Sequence, residues 1–191
     1  MKSKMKKLIS IRSLPALMLA TTLLLLLGTA VATGPAMDPV SGTGSSEIIT
    51  ANPYVPLPPL PEPFPEPPEG VMMQFEGSVE LSVRGELKTA ELLVNVYSVL
   101  VNEEGVQHVS ASHILTFEDG STIVTADKEV AEPTDTPGLY TINAKMEVKE
   151  GTGIYDGVSG NLTAHGTMDF RVFPFEASFT LRGAISSPAT E

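Results

Sequence analysis

Beyond residue 70 the chain alternates apolar and polar residues with a period of two. Four stretches show the alternation without interruption, and they begin at Phe75, Ile142, Leu162 and Phe175. Successive side chains of an extended strand point to opposite faces, so this pattern predicts strands with one buried and one solvated face. The 3.6-residue period of an amphipathic helix fits none of the four.

Two further segments, 92–101 and 109–117, are apolar on both faces, and 121–127 adds a shorter run. The two longer segments predict strands that are covered on both sides, within the fold or by a partner subunit. Turn signals separate the runs at Asp119-Gly120 and at Pro137-Gly138. Seven or eight strands with no helix between them predict an all-β fold. An antiparallel barrel is favoured over a sandwich because closure removes exposed edges.

The alternation also predicts which side chains face the barrel interior and could contact a ligand there. These are Phe75, Val79, Leu81, Ile142, Met146, Leu162, Met168, Phe170, Phe179 and Leu181. The inward faces of these four stretches carry no Asp, Glu, Lys, Arg or His, whereas Glu76 is predicted to face outward. Such a cavity holds and shapes an apolar molecule but supplies no proton transfer.

The amino terminus has the features of a secretory signal peptide. Five basic residues precede residue 14, an apolar run extends from Leu14 to Val31, and the sequence Ala30-Val31-Ala32 ends it. This order predicts cleavage after Ala32 and a location outside the cytoplasm, secreted, periplasmic or on the cell surface. The alternative is a retained membrane anchor, since about 18 apolar residues approach the length that spans a bilayer. We expect no membrane insertion after cleavage.

Residues 33–70 are predicted to be a disordered, Pro-rich linker. Their second half, from Pro53 to Gly70, contains a proline at almost every second position. Proline lacks an N–H and fixes φ, so this half favours an extended spacer over a helix or a central strand. The predicted domains are thus a signal peptide at 1–32, a linker at 33–70 and a barrel at 71–187.

The charge of the exported chain disfavours several kinds of partner. Without residues 1–32, seven Lys and Arg stand against 23 Asp and Glu, a net charge of −16. A surface this acidic repels phosphate backbones, so nucleic-acid binding is not expected. The chain contains no cysteine, so no disulfide forms.

No metal or other cofactor is expected from the pattern. His108 and His113 are five residues apart and therefore lie on opposite faces of a strand, and His165 lies on a polar face. A zinc or copper site needs three or four converging ligands. The remaining acidic group predicts a solvated loop rather than a cation site: Asp127, Glu129, Glu132 and Asp135.

Three pieces of the sequence together carry a family resemblance. They are Thr116-Phe117-Glu118-Asp119-Gly120, the glycine-rich turn 151–160, and Val172-Phe173-Pro174-Phe175 leading to Phe179-Thr180-Leu181-Arg182-Gly183. With them the chain resembles the allene oxide cyclase barrel family and, more loosely, the plant dirigent proteins. The resemblance implies an eight-stranded antiparallel barrel with a largely apolar cavity, commonly trimeric. The cyclase turns an unstable fatty-acid allene oxide into a cyclopentenone.

The family's polar site groups lie mostly on the N-terminal strands, and residues 71–115 match no motif there, so no catalytic residue is carried over. The leading hypothesis is an exported barrel that binds a small apolar or lipid-like molecule. The alternatives are an isomerase or cyclase acting on a reactive lipid, and a structural homotrimer with a filled barrel. Polar groups facing inward from residues 71–115 would favour the enzyme, and a packed interior would favour the structural protein.

Overall fold

The computed structural model describes residues 36–53, 55 and 64–186. The predicted signal peptide and part of the Pro-rich run lie outside the described residues. In the part of the chain that the structure describes, no helix has the length and apolar character needed to cross a membrane.

Eight strands form a closed barrel in which each strand is antiparallel to its neighbours and β8 pairs with β1. This architecture confirms the predicted all-β, antiparallel, eight-stranded fold. The strands are β1 (Met37–Ala51), β2 (Met73–Val83), β3 (Glu86–Val101), β4 (Gln107–Phe117), β5 (Thr122–Pro133), β6 (Leu139–Thr152), β7 (Gly160–Asp169) and β8 (Glu176–Ser186).

The predicted start of the barrel at residue 71 is corrected by the position of β1. This strand lies inside the predicted disordered linker and pairs along its length with β2 and β8. Residues near the end of that linker are also ordered against the barrel, because the Ala51 N–H donates to the Pro65 carbonyl at 3.1 Å. The ring of Phe64 packs on the core.

Small inward residues explain why the sequence pattern missed β1. Along its inner face, Gly42, Gly44 and Ser46 stand where an alternating strand normally carries large apolar residues. The space belongs to side chains of the neighbouring strands: a Cβ on Gly44 would lie 2.6 Å from Cζ of Phe179. The sequence of β1 therefore resembles a flexible Gly/Ser linker, although β1 is the strand that closes the barrel.

The predicted inward register is confirmed on β2, β6, β7 and β8. Nine of the ten predicted interior residues are buried, and Met168 is half-buried against the same core. The turn 151–160 contains one turn of 3₁₀ helix, Gly153–Tyr155, and is followed by a strand. Its Tyr155 ring packs on Phe117, with centroids 4.7 Å apart, and plugs one end of the barrel.

Asp substitutions at two adjacent positions of β8 test this register. Leu181 is 2% exposed, so Leu181→Asp places an unpaired charge in the packed interior. A charge left uncompensated in this way costs about 3–5 kcal/mol, comparable with the whole stability of many domains, so we expect the barrel to unfold. Thr180 faces solvent, and Thr180→Asp should change the free energy of unfolding by about 0.5 kcal/mol or less. Urea unfolding followed by circular dichroism measures both, and equal damage would contradict the register.

Candidate functional site

The barrel is packed at one end and hollow at the other. The hollow end holds a cavity of about 350 Å³ between the start of β2, the end of β3, the start of β4, the end of β5 and the start of β6. Its walls are formed by Val55, Met73, Phe75, Val96, Val99, Gln107, Val109, Glu129, Ala131, Gly138, Tyr140, Ile142, Met168 and Phe170. Most of these side chains are apolar, as is usual for sites that bind small organic molecules.

The ten predicted lining residues divide between the two ends. Four of them line this cavity, which we call the large cavity only to distinguish it from the smaller inner one: Phe75, Ile142, Met168 and Phe170. Phe179 lines a second, inner cavity of about 40 Å³ that shares Phe75 and Glu129 with the first. The other five are buried in the core and line neither cavity: Val79, Leu81, Met146, Leu162 and Leu181.

An aromatic cluster stands at the hollow end. Phe170 packs edge-on against Phe175, with ring centroids 5.0 Å apart, and against Tyr140 at 5.5 Å. Phe64 stacks on Phe173 at 5.4 Å, which brings the segment before β2 onto the loop between β7 and β8. Phe170 and Tyr140 themselves line the cavity, so this cluster forms part of its wall.

One group of charged side chains lies inside the barrel: His113 on β4, with Asp127 and Glu129 on β5. His113 Nδ1 lies 2.7 Å from Asp127 Oδ2 and 4.0 Å from Glu129 Oε1. The Asp127 side chain is 0% exposed and that of Glu129 is 12% exposed. The His113 ring meets Phe179 edge-on at 6.3 Å. We call these three residues the inner cluster.

The inner cluster corrects one prediction made from the sequence and confirms another. Asp127 and Glu129 were expected in a solvated acidic loop, but β5 continues through them to Pro133 and turns both side chains inward. His113 was predicted to oppose His108, and it does, since His108 is exposed. His113 lies on the inward face, which the spacing of the two histidines does not indicate by itself.

Adjacent strands bring the cluster together. β4 and β5 form a hairpin in which Ala111 pairs with Asp127. The two strands are joined further where the His113 N–H donates to Thr125 Oγ1 at 3.2 Å. The sequence of β5 does contain a signal for this inward orientation. Every second residue from Ile123 to Ala131 lies on the same face of the strand, and that face includes Asp127 and Glu129.

Burial and mutual charge set the proton affinities of the inner cluster. Burial, the largest influence, lowers the pKa of His113, but the hydrogen bond to Asp127 and the charges of Glu129 and Asp127 outweigh it, so that the pKa is raised. Burial raises the pKa of Glu129, an effect that His113 reduces and Asp127 increases. The cluster therefore favours an imidazolium paired with Asp127, next to a carboxyl group that is a weaker acid than in water.

Glu129 connects the inner cluster to the large cavity, because it lines both cavities. His113 lines the inner one. The geometry therefore supplies an apolar chamber with a carboxyl group in its wall and an imidazole behind it. His165 takes no part: it is exposed on the outer face, where its Nδ1 lies 2.5 Å from Asn143 Oδ1.

Comparisons with known proteins give few matches. No family model matches the chain, and no curated protein matches it. Two solved structures are similar in fold. The pterocarpan synthase dirigent protein PsPTS1 aligns with a TM-score of 0.43 and 14% identity, covering 81% of this chain and 97% of its own. The pterocarpan synthase dirigent protein GePTS1 aligns with a TM-score of 0.39 and 14% identity, covering 84% and 98%.

Proposed function

We propose that the barrel binds a small, mainly apolar or lipid-like molecule in the large cavity. The observation that carries this proposal is the cavity itself, which is lined mostly by apolar side chains at the hollow end of the barrel. Its volume of about 350 Å³ is at the lower end of the range for ligand sites, about 300–1,000 Å³. Glu129 offers the ligand a polar contact, which would fix one end of an otherwise apolar molecule.

The second candidate function is an isomerase or cyclase that acts on a reactive lipid. Polar side chains that face inward from residues 71–115 would favour an enzyme over a simple binding protein. His113 is such a side chain. A hydroxyl, carbonyl or epoxide oxygen of a bound molecule could accept a hydrogen bond from the cavity wall. The structural alternative with a filled barrel fits the hollow end poorly.

Export and assembly belong to the same proposal. We infer from residues 1–32 that the chain is exported, with cleavage after Ala32. The Pro-rich stretch is not a spacer before the barrel, because it lies between β1 and β2 of the closed barrel. Homotrimerisation remains a prediction from the apolar outer positions of β3 and β4. Leu93 and Ile114 pair there and are half-buried.

A substitution that fills the cavity tests the binding proposal. Ala131 is 3% exposed and lines the large cavity, so the ring in Ala131→Phe would occupy ligand space. A loss of about 60 Å² of apolar contact corresponds to about 1.5 kcal/mol, or a tenfold rise in Kd. The measurement is the fluorescence of an environment-sensitive apolar probe in a titration with the protein. The chain contains no tryptophan, so the protein adds no tryptophan fluorescence to the signal.

The matched control is Val130→Phe, the same new side chain on the same strand but on the outer face. It should leave the Kd of the probe unchanged. Mass spectrometry of molecules that copurify with the native protein identifies the natural ligand class, and Ala131→Phe should reduce their amount. Equal probe binding by both variants would refute the cavity as the site.

A further inference from the structure

Two oxygen atoms of the inner cluster lack a hydrogen-bond partner. Among the described residues, Asp127 Oδ1 and Glu129 Oε1 are buried and accept no hydrogen bond. A buried carboxylate oxygen without a partner is unfavourable, and such exceptions point to a bound water, an ion or a functional role. The two oxygens belong to different side chains, so a single group that satisfies both must lie between them.

The position of Asp127 limits what that group can be. The head group of a ligand in the large cavity can reach Glu129, but Asp127 is 0% exposed and lines neither cavity. An atom located among the three side chains can reach all of them, because one ligand atom from each lies within 4.8 Å of the other two. The inner cavity, about 40 Å³ and lined by His113 and Glu129, exceeds the roughly 10–15 Å³ that a single water molecule needs.

We propose that His113, Asp127 and Glu129 bind one divalent transition-metal ion of the zinc class, with a further coordination position directed at the cavity. One imidazole nitrogen and two carboxylate oxygens are ligands that zinc uses, and three protein ligands leave a fourth position for water or substrate. Mg²⁺ and Ca²⁺ prefer six or more oxygen ligands, so they fit this set less well.

The geometry is close to what a metal ion requires. Bonds of about 2.0–2.2 Å in a tetrahedral arrangement place neighbouring ligand atoms about 3.4 Å apart. The observed distances from His113 Nδ1, 2.7 Å to Asp127 Oδ2 and 4.0 Å to Glu129 Oε1, lie on either side of that value. Shifts of less than about 1 Å, within the reach of side-chain rotation, would complete the site.

Charge supports the same assignment. Metal binding releases the protons held by His113 and Glu129. The ligands are then a neutral imidazole and two carboxylates, which carry two negative charges in a largely apolar interior. A divalent cation neutralises both charges and gives Glu129 Oε1, which has no hydrogen-bond partner, a ligand bond. Buried charges in proteins are normally paired or bound to a metal.

The test is a metal titration of the full chain, expressed without a histidine tag, treated with chelator and dialysed. We expect one Zn²⁺ per chain by calorimetry. One Co²⁺ should bind with a visible absorption band typical of nitrogen and oxygen ligands, since the chain has no cysteine. Mg²⁺ and Ca²⁺ at the same concentration should bind at least about tenfold more weakly. No organic ligand is added, so this test and the cavity-filling test can fail independently.

Variants of the cluster locate the site. Glu129→Gln and Asp127→Asn keep the shape of each side chain but remove a metal ligand. Loss of a residue that only hydrogen-bonds a ligand already weakens metal binding by about 10–100-fold, so each variant should weaken Zn²⁺ binding by at least that much. The control replaces the exposed histidines, His108→Gln with His165→Gln, and should bind as the wild type does. Glu129 is the least buried residue of the inner cluster, so its variant is the one most expected to fold. Circular dichroism verifies that it does. Unchanged binding in folded Glu129→Gln, loss of binding in the control, or no stoichiometric binding would overturn the proposal.

Discussion

A chain truncated to begin at Val71 should fail to form the barrel, whereas a chain that begins at Thr33 should fold. β1 pairs with both β2 and β8, so its removal opens the ring and eliminates two ladders of backbone hydrogen bonds. Two long strand edges become exposed, and exposed edges promote aggregation. Circular dichroism, size-exclusion chromatography and urea unfolding of the two chains measure the difference.

A synthetic peptide covering residues 33–53 provides the matched control for this truncation. If β1 acts as the closing strand, the peptide should restore cooperative unfolding to the shorter chain. A peptide with Gly44→Val should restore it poorly, because a side chain at position 44 would collide with the Phe179 ring. A shorter chain that unfolds cooperatively as a monomer, with the midpoint of the longer one, would show that β1 is dispensable.

The alternation of apolar and polar residues predicted the strands whose inner faces carry large apolar side chains. On β2, the residues Phe75, Val79 and Leu81 give a clear period of two, and all three are buried. The same signal failed on β1, because Gly42 and Gly44 make room for larger neighbours and leave no apolar period to detect. Hydrophobic periodicity reports a strand only where that strand supplies the bulk of the core.

The same assumption hid the inner cluster. Periodicity assigns the inward face to apolar residues, so it predicts that a stretch containing Asp127 and Glu129 is solvated. The partners are 14 residues apart in sequence, and only the pairing of β4 with β5 places His113 Nδ1 within 2.7 Å of Asp127. The register between two strands depends on how they pair in the folded barrel, so it cannot be predicted from the sequence of one strand.

Alternation predicts whether a side chain faces inward or outward, but not where along the barrel axis it lies. Phe75 and Leu81 share one face of β2, yet Phe75 lines the cavity while Leu81 is packed in the core. The difference arises because the hollow end is bounded by loops and an aromatic cluster, whereas Tyr155 plugs the other end. The ten side chains predicted to face the interior are therefore buried or half-buried there, but half of them line neither cavity.

Breaking the inner cluster should destabilise the barrel far more than removing it altogether. Asp127→Val alone leaves His113 and Glu129 buried without their partner, and loss of one member of a buried ion pair costs about 3–5 kcal/mol. The triple variant His113→Leu, Asp127→Val, Glu129→Met fills the space with apolar side chains of similar size. Such replacements are often neutral or stabilise a protein by about 1–4 kcal/mol.

Urea unfolding of the two variants and the wild type measures this difference, with Lys128→Leu on the outer face of β5 as the control for added apolar surface. A triple variant at least as stable as the wild type, but unable to bind Zn²⁺, would show that folding does not require the three charged residues. Their presence in the interior would then be explained by the chemistry at the cavity wall. A triple variant as unstable as Asp127→Val would instead mean that the cluster holds β4 and β5 together, because the apolar core could not replace the hydrogen bond between His113 and Asp127.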